Sequence, residues 1–224
     1  NLRRNIIMKH ILYIICLLAV LSSCSKKVTR AEIYPKMYEE KPTTILVMPP
    51  INNSNNADAK EYFYSSLAQP LNEKGFYVIS PFMAMDILKQ ESAYDSEMFI
   101  NGSLESFQKF FNVDAVLFTT INKWEKKTGL SSINVSIVYT LKSAKTGEIL
   151  FERDGDLSVS FSSGSGGILS MALDMLSTAL TDHVVAARKC NRYVIQDMPE
   201  GKYGLNYLQD GGVAVEKPKL KGNL

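Results

Sequence analysis

The residue whose chemistry is clearest is Cys24, which stands where the apolar run stops and lysines begin in the stretch "ICLLAVLSSCSKK" at residues 15–27. The apolar run 11–21 before it is too short to span a bilayer, which takes about 20 apolar residues, but it suits the core of a secretory signal, usually about 7–15 residues. Arg3, Arg4 and Lys9 precede or flank the run, and residues 1–23 hold no acidic side chain. That is the cationic start such a signal needs for orientation. Leu21, Ser22, Ser23 and Cys24 then give one large apolar residue, two small ones and a cysteine, the order of a bacterial lipobox. In that chemistry the thiol is acylated with diacylglyceride and the cysteine becomes the first residue. An ordinary buried helix would show polar positions at helical period, and this run shows none.

Other reactive groups are sparse or badly spaced. Of two histidines, His10 lies in the leader and His183 stands alone, too few for a site built on several imidazoles. No serine sits in the G-x-S-x-G pattern of a nucleophile elbow. "GSGG" at 164–167 lacks the Lys-Ser/Thr ending of a phosphate loop and reads as a hinge. Asp95/Glu97 and Asp154/Asp156 are paired carboxylates, but hydrolysis of a glycoside would need two of them about 5–10 Å apart in a cleft. Neither a metal nor a cofactor is expected. Of three cysteines, only Cys190 is left as a thiol once Cys16 leaves with the leader and Cys24 is acylated, so it is either buried or bridged to another chain. Candidate contact residues are Asn52, Asn53 and Asn55 in the loop "INNSNNAD", Tyr62 and Tyr64 on the helix after it, and Trp124 where a strand turns polar. Aromatic side chains concentrate binding energy, and these could line a groove for a glycan or peptide.

Processing leaves 201 of 224 residues, enough for one domain with a core. The 25 basic and 23 acidic residues become a net charge of −1 once Arg3, Arg4 and Lys9 are lost. Such a chain lacks the basic field from which nucleic-acid binding draws its affinity. The segments expected are a signal peptide at 1–23, a polar tether at 24–42, a globular domain at 43–192 and an irregular, loosely packed tail at 193–224.

Within the domain, 43–48 is a β-branched and apolar run stopped by Pro49 and Pro50, which suits a strand buried on both faces. Residues 57–74 place Phe63, Leu67 and Leu71 on one helical stripe, with a kink at Pro70 and a stop at Gly75. A strand at 76–80, a helix opened by Pro81, a helix over 104–111 and a strand over 114–124 follow. Ile133, Val135, Ile137, Tyr139 and Leu141 alternate with mostly polar neighbours, and residues 149–161 continue the alternation after the "SAKTGE" turn. This predicts an antiparallel hairpin with one wet face, interrupted at Arg153 and bulged near Gly155. A hinge at 162–167 and a helix over 168–189 complete the order. The fold class is therefore α/β (α+β), a mixed sheet of about five strands packed by helices.

The segments "ILVMPP", "NNSNNADAKEYFYSSLAQPLNEKGFYVISPF", "FNVDAVLFTTINKW" and "VSIVYTLKSAKTGEILFE" occur in this order. Together, over about residues 43–200, they resemble a bacterial lipoprotein family of unknown function typified by a meningococcal surface antigen. The resemblance implies a fold similar to the amino-terminal domain of TolB and to the periplasmic domain of curli-type secretion lipoproteins. It also implies a protein partner of the curli-secretion lipoprotein kind, and it carries over no catalytic residue. The terminal "KPKLKGNL" has no counterpart in the resemblance. The expectation is an outer-membrane lipoprotein that acts as a non-enzymatic accessory or assembly subunit of an envelope complex, with a periplasmic glycan- or peptide-binding module as the alternative.

Overall fold

In the computed structural model, which describes residues 27–126, 132–160, 183–215 and 219–223, the two prolines decide how the first strand runs. Strand β1 (Thr44–Val47) pairs in parallel with β4 (Ala115–Lys126), and its course breaks at Pro49-Pro50, since a proline has no N–H to give to a ladder. The chain rejoins the same edge of β4 as β2 (Ile51–Asn52), paired with Thr120 and Ile121. Strand β3 (Tyr77–Val78) lies on the outer side of β1, again parallel. Beyond β4 the sheet is antiparallel through β5 (Ser132–Ser143) and β6 (Ile149–Ser160), and β7 (Lys219–Asn223) adds a parallel edge to β6. The result is a seven-stranded mixed sheet in the order β3-β1-β4-β5-β6-β7, with β2 beside β4. The fold class follows the expectation, and two strands more than anticipated come from β2 and from the tail.

The helices are α1 (Arg30–Ile33), α2 (Pro35–Glu40), α3 (Ala59–Ser66), α4 (Ala68–Glu73), α5 (Pro81–Gln90), α6 (Glu105–Phe111) and α7, helical over residues 183–195. They cover both faces of the parallel part of the sheet. Ile45 and Val47 of β1 point into a core shared with Phe63, Leu67 and Leu71 of α3–α4 and with Ala186, Cys190 and Val194 of α7. Leu46 and Met48 point the other way, toward Ala84 and Leu88 of α5 and Phe107 of α6. A strand sandwiched like this has no wet face, which is why its sequence is apolar without alternation.

The helical stripe breaks at Leu67, one turn before Pro70. Two causes meet there: the proline ring crowds the carbonyl four residues back, and Ser66 Oγ donates to the Tyr62 carbonyl at 2.7 Å, drawing off a backbone acceptor. In the hairpin, the interruptions at Arg153 and Gly155 lie on the buried face and are not a bulge; the register shifts fall at Ile121/Lys123 and Leu141/Lys142. A Cβ on Gly155 would stand 3.1 Å from the Val194 Cγ2, so this glycine is the notch that lets α7 settle on the sheet. Arg153 is completely buried and pairs with Asp197 at 2.6 Å, while its guanidinium also donates to Tyr34 Oη at 3.3 Å.

Two stretches expected to be loose are folded. Within the 24–42 stretch assigned to a tether, α1 is closed by a capping box between Thr29 and Glu32, and Tyr34 and Met37 are buried against the sheet. In the tail, Val194, Ile195 and Met198 are core residues, and 211–215 runs antiparallel to 28–31. That pairing consists of Arg30 N–H to the Val213 carbonyl at 3.0 Å, Ala31 N–H to the Gly211 carbonyl at 3.0 Å and Val215 N–H to the Val28 carbonyl at 2.9 Å. Arg30, itself buried, donates to Asp210 at 2.7 Å and to the Gln196 carbonyl at 2.9 Å, and Tyr38 Oη donates to the same carboxylate at 3.1 Å. The apolar residues of these stretches are too few to show a period, and charge and backbone hydrogen bonds add to their packing against the core. The hinge at 162–167 and the first part of the helix at 168–189 lie outside the described residues; where it is described, the helix continues to 195.

Candidate functional site

The loop after β2 holds itself in place. Asn52 Nδ2 donates to the Asn56 carbonyl at 2.8 Å, and its Oδ1 accepts from the Ser54 backbone N–H at 3.1 Å and from Ser54 Oγ at 2.7 Å. Asn56 Oδ1 in turn accepts from the N–H groups of Asp58 and Ala59, opening α3. Asn53 Nδ2 reaches Asn122 Oδ1 at 3.2 Å, and Asn55 is exposed. Asn52 is therefore committed to turn geometry, leaving Asn53 and Asn55 as the outward amides of this loop.

The expected groove between this loop and Tyr62 and Tyr64 does not form, because residues two apart on a helix point nearly opposite ways. Tyr62 lies over Trp124 with ring centroids 6.1 Å apart, and Phe63 meets the same indole edge-on at 5.5 Å. His183 of α7 closes the cluster at 5.5 Å from Tyr62 and 5.8 Å from Trp124. Trp124 is buried, so it caps the core at the polar end of β4. Tyr64 faces away from these rings and donates its Oη to the Pro81 carbonyl at 2.7 Å, with burial pushing its phenol well above the usual value.

What Tyr64 helps to wall is a crevice of about 570 Å³ between α3 and α5. It opens outside the carboxyl ends of the parallel strands β1 and β3, where open α/β sheets place their clefts. Pro49, Tyr64, Pro81, Met85 and Tyr94 give it apolar and aromatic walls, and Lys60, Glu61, Asp86 and Lys89 put both signs of charge on its rim. Such a lining can hold an apolar or aromatic group and orient it through the rim charges. Phe82 and Met83, in the first turn of α5, are exposed to 84% and 65%. The sequence signal for this place was Pro81 at the first helical position, which fixes where α5 starts, but nothing in the sequence ties Tyr64 to α5.

The other reactive groups are placed as follows. Asp95 and Glu97 lie on an exposed turn, where desolvation and then the neighbouring Asp95 raise the Glu97 carboxyl above the ordinary value. Asp154 and Asp156 lie on the open face of β6, and Ser136 Oγ donates to Asp156 at 2.7 Å. Cys190 is fully buried, which pushes its thiol up to about 12, so of the two readings open for this residue the buried one holds. Beside it, a buried network joins β5 and α7 to the helix break: Tyr139 Oη donates to Asn191 Oδ1, and Asn191 Nδ2 donates to Ser66 Oγ at 2.8 Å and to the Phe63 carbonyl at 3.2 Å. Among the described residues, no group of three or more His, Cys, Asp or Glu could hold a metal ion, and no helix is long and apolar enough to cross a membrane.

The chain is 24% identical over 192 residues, 83% of its length and 89% of the relative's, to "Putative lipoprotein NMB1124/NMB1162" of Neisseria meningitidis serogroup B. Among solved structures it is similar to lipoprotein GNA1162 from Neisseria meningitidis, with 26% identity, 65% of this chain and 99% of that one covered, and a TM-score of 0.48. It is also similar to the C-terminal domain of LpoB from Salmonella enterica, at 17% identity, 59% and 96% coverage and a TM-score of 0.37. The family model described as "Putative lipoprotein GNA1162-like" matches residues 33–202, three quarters of the sequence, and the chain belongs to that lipoprotein family.

Proposed function

We propose that this protein is a lipid-anchored envelope lipoprotein, held on the outer membrane by a diacylglyceride on Cys24, with its folded body in the periplasm. It acts there by contact, as a non-enzymatic accessory or assembly subunit of an envelope or secretion complex. The observation that carries the reading is the cationic leader ending in Leu21-Ser22-Ser23-Cys24, found in a chain of a lipoprotein family. Large apolar side chains left exposed, among them Phe82 and Met83 beside the crevice, support a role in contacts with other molecules. A partner of the curli-secretion lipoprotein kind is the one the resemblance favours.

The anchor lies upstream of every described residue, so its removal should not touch the fold. Cys24→Ala is expected to move the protein out of the membrane fraction while its urea midpoint stays within error of the parent's. Retention in the membrane fraction at the parent level would overturn the anchor.

A further inference from the structure

The anchor and the body are separated by very little chain. Residues 25–27 alone lie between Cys24 and Val28, and the Val28 carbonyl is already bound to Val215 N–H at 2.9 Å. At no more than about 3.5 Å per extended residue, this tether cannot hold the pinned strand more than roughly 14 Å from the acylated cysteine. The surface beside Val28 is therefore the surface the bilayer meets.

That surface is the C-terminal loop. It leaves the body at Gly201, whose N–H donates to the Lys74 carbonyl at 2.8 Å, and touches the α4–β3 junction again through Tyr203 N–H to the Gly75 carbonyl at 2.9 Å. It ends in the 211–215 segment paired with 28–31, fixed by the buried Arg30–Asp210 ion pair. Between those fixed points it turns apolar side chains outward. Leu205 is 97% exposed and Tyr203 66%, with Leu208, Val213 and Val28 each close to half exposed. Lys27 and Lys202 are exposed at the two ends of the same stretch. Exposed leucine is unfavourable in water in proportion to its area, whereas a headgroup boundary accepts leucine, tyrosine and lysine together.

We infer that the loop 202–213 is a membrane-resting face, with Leu205 and Tyr203 entering the headgroup boundary and Lys27 and Lys202 meeting phospholipid phosphates. The occupant is the bilayer that holds the anchor. The short tether sets the distance, the two fixed ends keep the loop presented, and the lysines complement anionic lipid. This inference rests on the proposed acylation of Cys24, and its test separates the two.

The test uses the full-length protein purified from membranes, after mass measurement has established that Cys24 is acylated, and reconstituted into vesicles of phosphatidylethanolamine and phosphatidylglycerol with or without brominated acyl chains. Leu205→Trp places a fluorophore on the loop, and Phe110→Trp places one on α6, exposed on the opposite face of the sheet. The native Trp124 is buried and provides the background, read from the parent protein. The expected result is at least a twofold loss of the added fluorescence in brominated vesicles for Leu205→Trp, and less than about a tenth lost for Phe110→Trp. Equal quenching of the two, or none of either, in protein that carries the lipid overturns the membrane-resting face while leaving the anchor intact. Absence of acyl mass on Cys24 overturns the anchor itself. Should Leu205→Trp not fold, the same comparison is read with Tyr203→Trp.

Discussion

Asp197→Ala is expected to destabilise the protein by about 3 kcal/mol, the lower end of the range for stranding one member of a buried ion pair. The reason is Arg153, which is completely buried and meets the Asp197 carboxylate at 2.6 Å. A guanidinium cannot shed its charge, so losing the carboxylate takes the countercharge at 2.6 Å away from a cation held inside the core. Asp197 keeps 14% side-chain exposure, so water partly reaches the gap, which places the loss low in the range. In a chain of this size a loss of that order lowers the melting temperature by roughly 6–12 °C. The pair also has a rescue: Arg153→Met combined with Asp197→Ala removes both charges and should recover most of the loss in urea unfolding. If Asp197→Ala alone falls within about 0.5 kcal/mol of the parent, the pair is a surface contact and the burial assigned to Arg153 is mistaken.

Gly75→Ala has an expected cost of similar size from a different source. Gly75 has φ +83°, and a Cβ there would stand 2.0 Å from the Gly204 nitrogen and 2.6 Å from the Tyr203 carbonyl carbon. A left-handed alanine costs about 1–2 kcal/mol. Moving backbone out of the way costs about 1–3 kcal/mol more. The C-terminal loop should detach first, since the hydrogen bonds of Gly201 and Tyr203 to the Lys74 and Gly75 carbonyls end at this point. Hydrogen–deuterium exchange should therefore rise across 201–209 before it rises in β4 or β5. Gly147→Ala is the control: it shares the left-handed conformation at φ +72° but meets nothing within 4 Å, so only the conformational cost applies. Equal losses for the two alanines would mean that the close backbone approach at Gly75 contributes nothing.

The sequence was most readable where period and burial coincide. Ile133, Val135, Ile137, Tyr139 and Leu141 alternate because β5 has one packed face, and all five are buried. The run ending at Pro49-Pro50 was readable as a strand buried on both faces for the complementary reason, that both of its neighbours are apolar layers. Arg153 and Gly155 looked like flaws in the alternation only because their purpose lies in other segments: the carboxylate that needs the arginine is at Asp197, and the side chain that needs the notch is at Val194. No local pattern encodes such pairings. The folded flanks were hidden in the same way, since α1 and the 211–215 segment are joined by Arg30 and Asp210, 180 residues apart. The candidate contact residues divide along a simple geometric line. Tyr62 and Tyr64 are neighbours in sequence but two apart on a helix, so one joins the Trp124 cluster while the other walls the crevice.

The folded flanks also shorten the tether that the proposed anchor on Cys24 would use. A polar tether over residues 24–42 would let the body range well away from the bilayer, whereas α1 and the pairing of Val28 with Val215 bring it down to a few residues' reach. With Cys24 acylated as proposed, a partner at the crevice between α3 and α5 would have to meet the protein within the reach of that short tether.

The most direct measurement is the intact mass of the amino-terminal proteolytic peptide from protein extracted from membranes. The account predicts a peptide that begins at Cys24, lacks residues 1–23 and carries the mass of a diacylglyceride on the cysteine sulfur. A peptide that still contains the leader, or one whose Cys24 is an unmodified thiol, contradicts it.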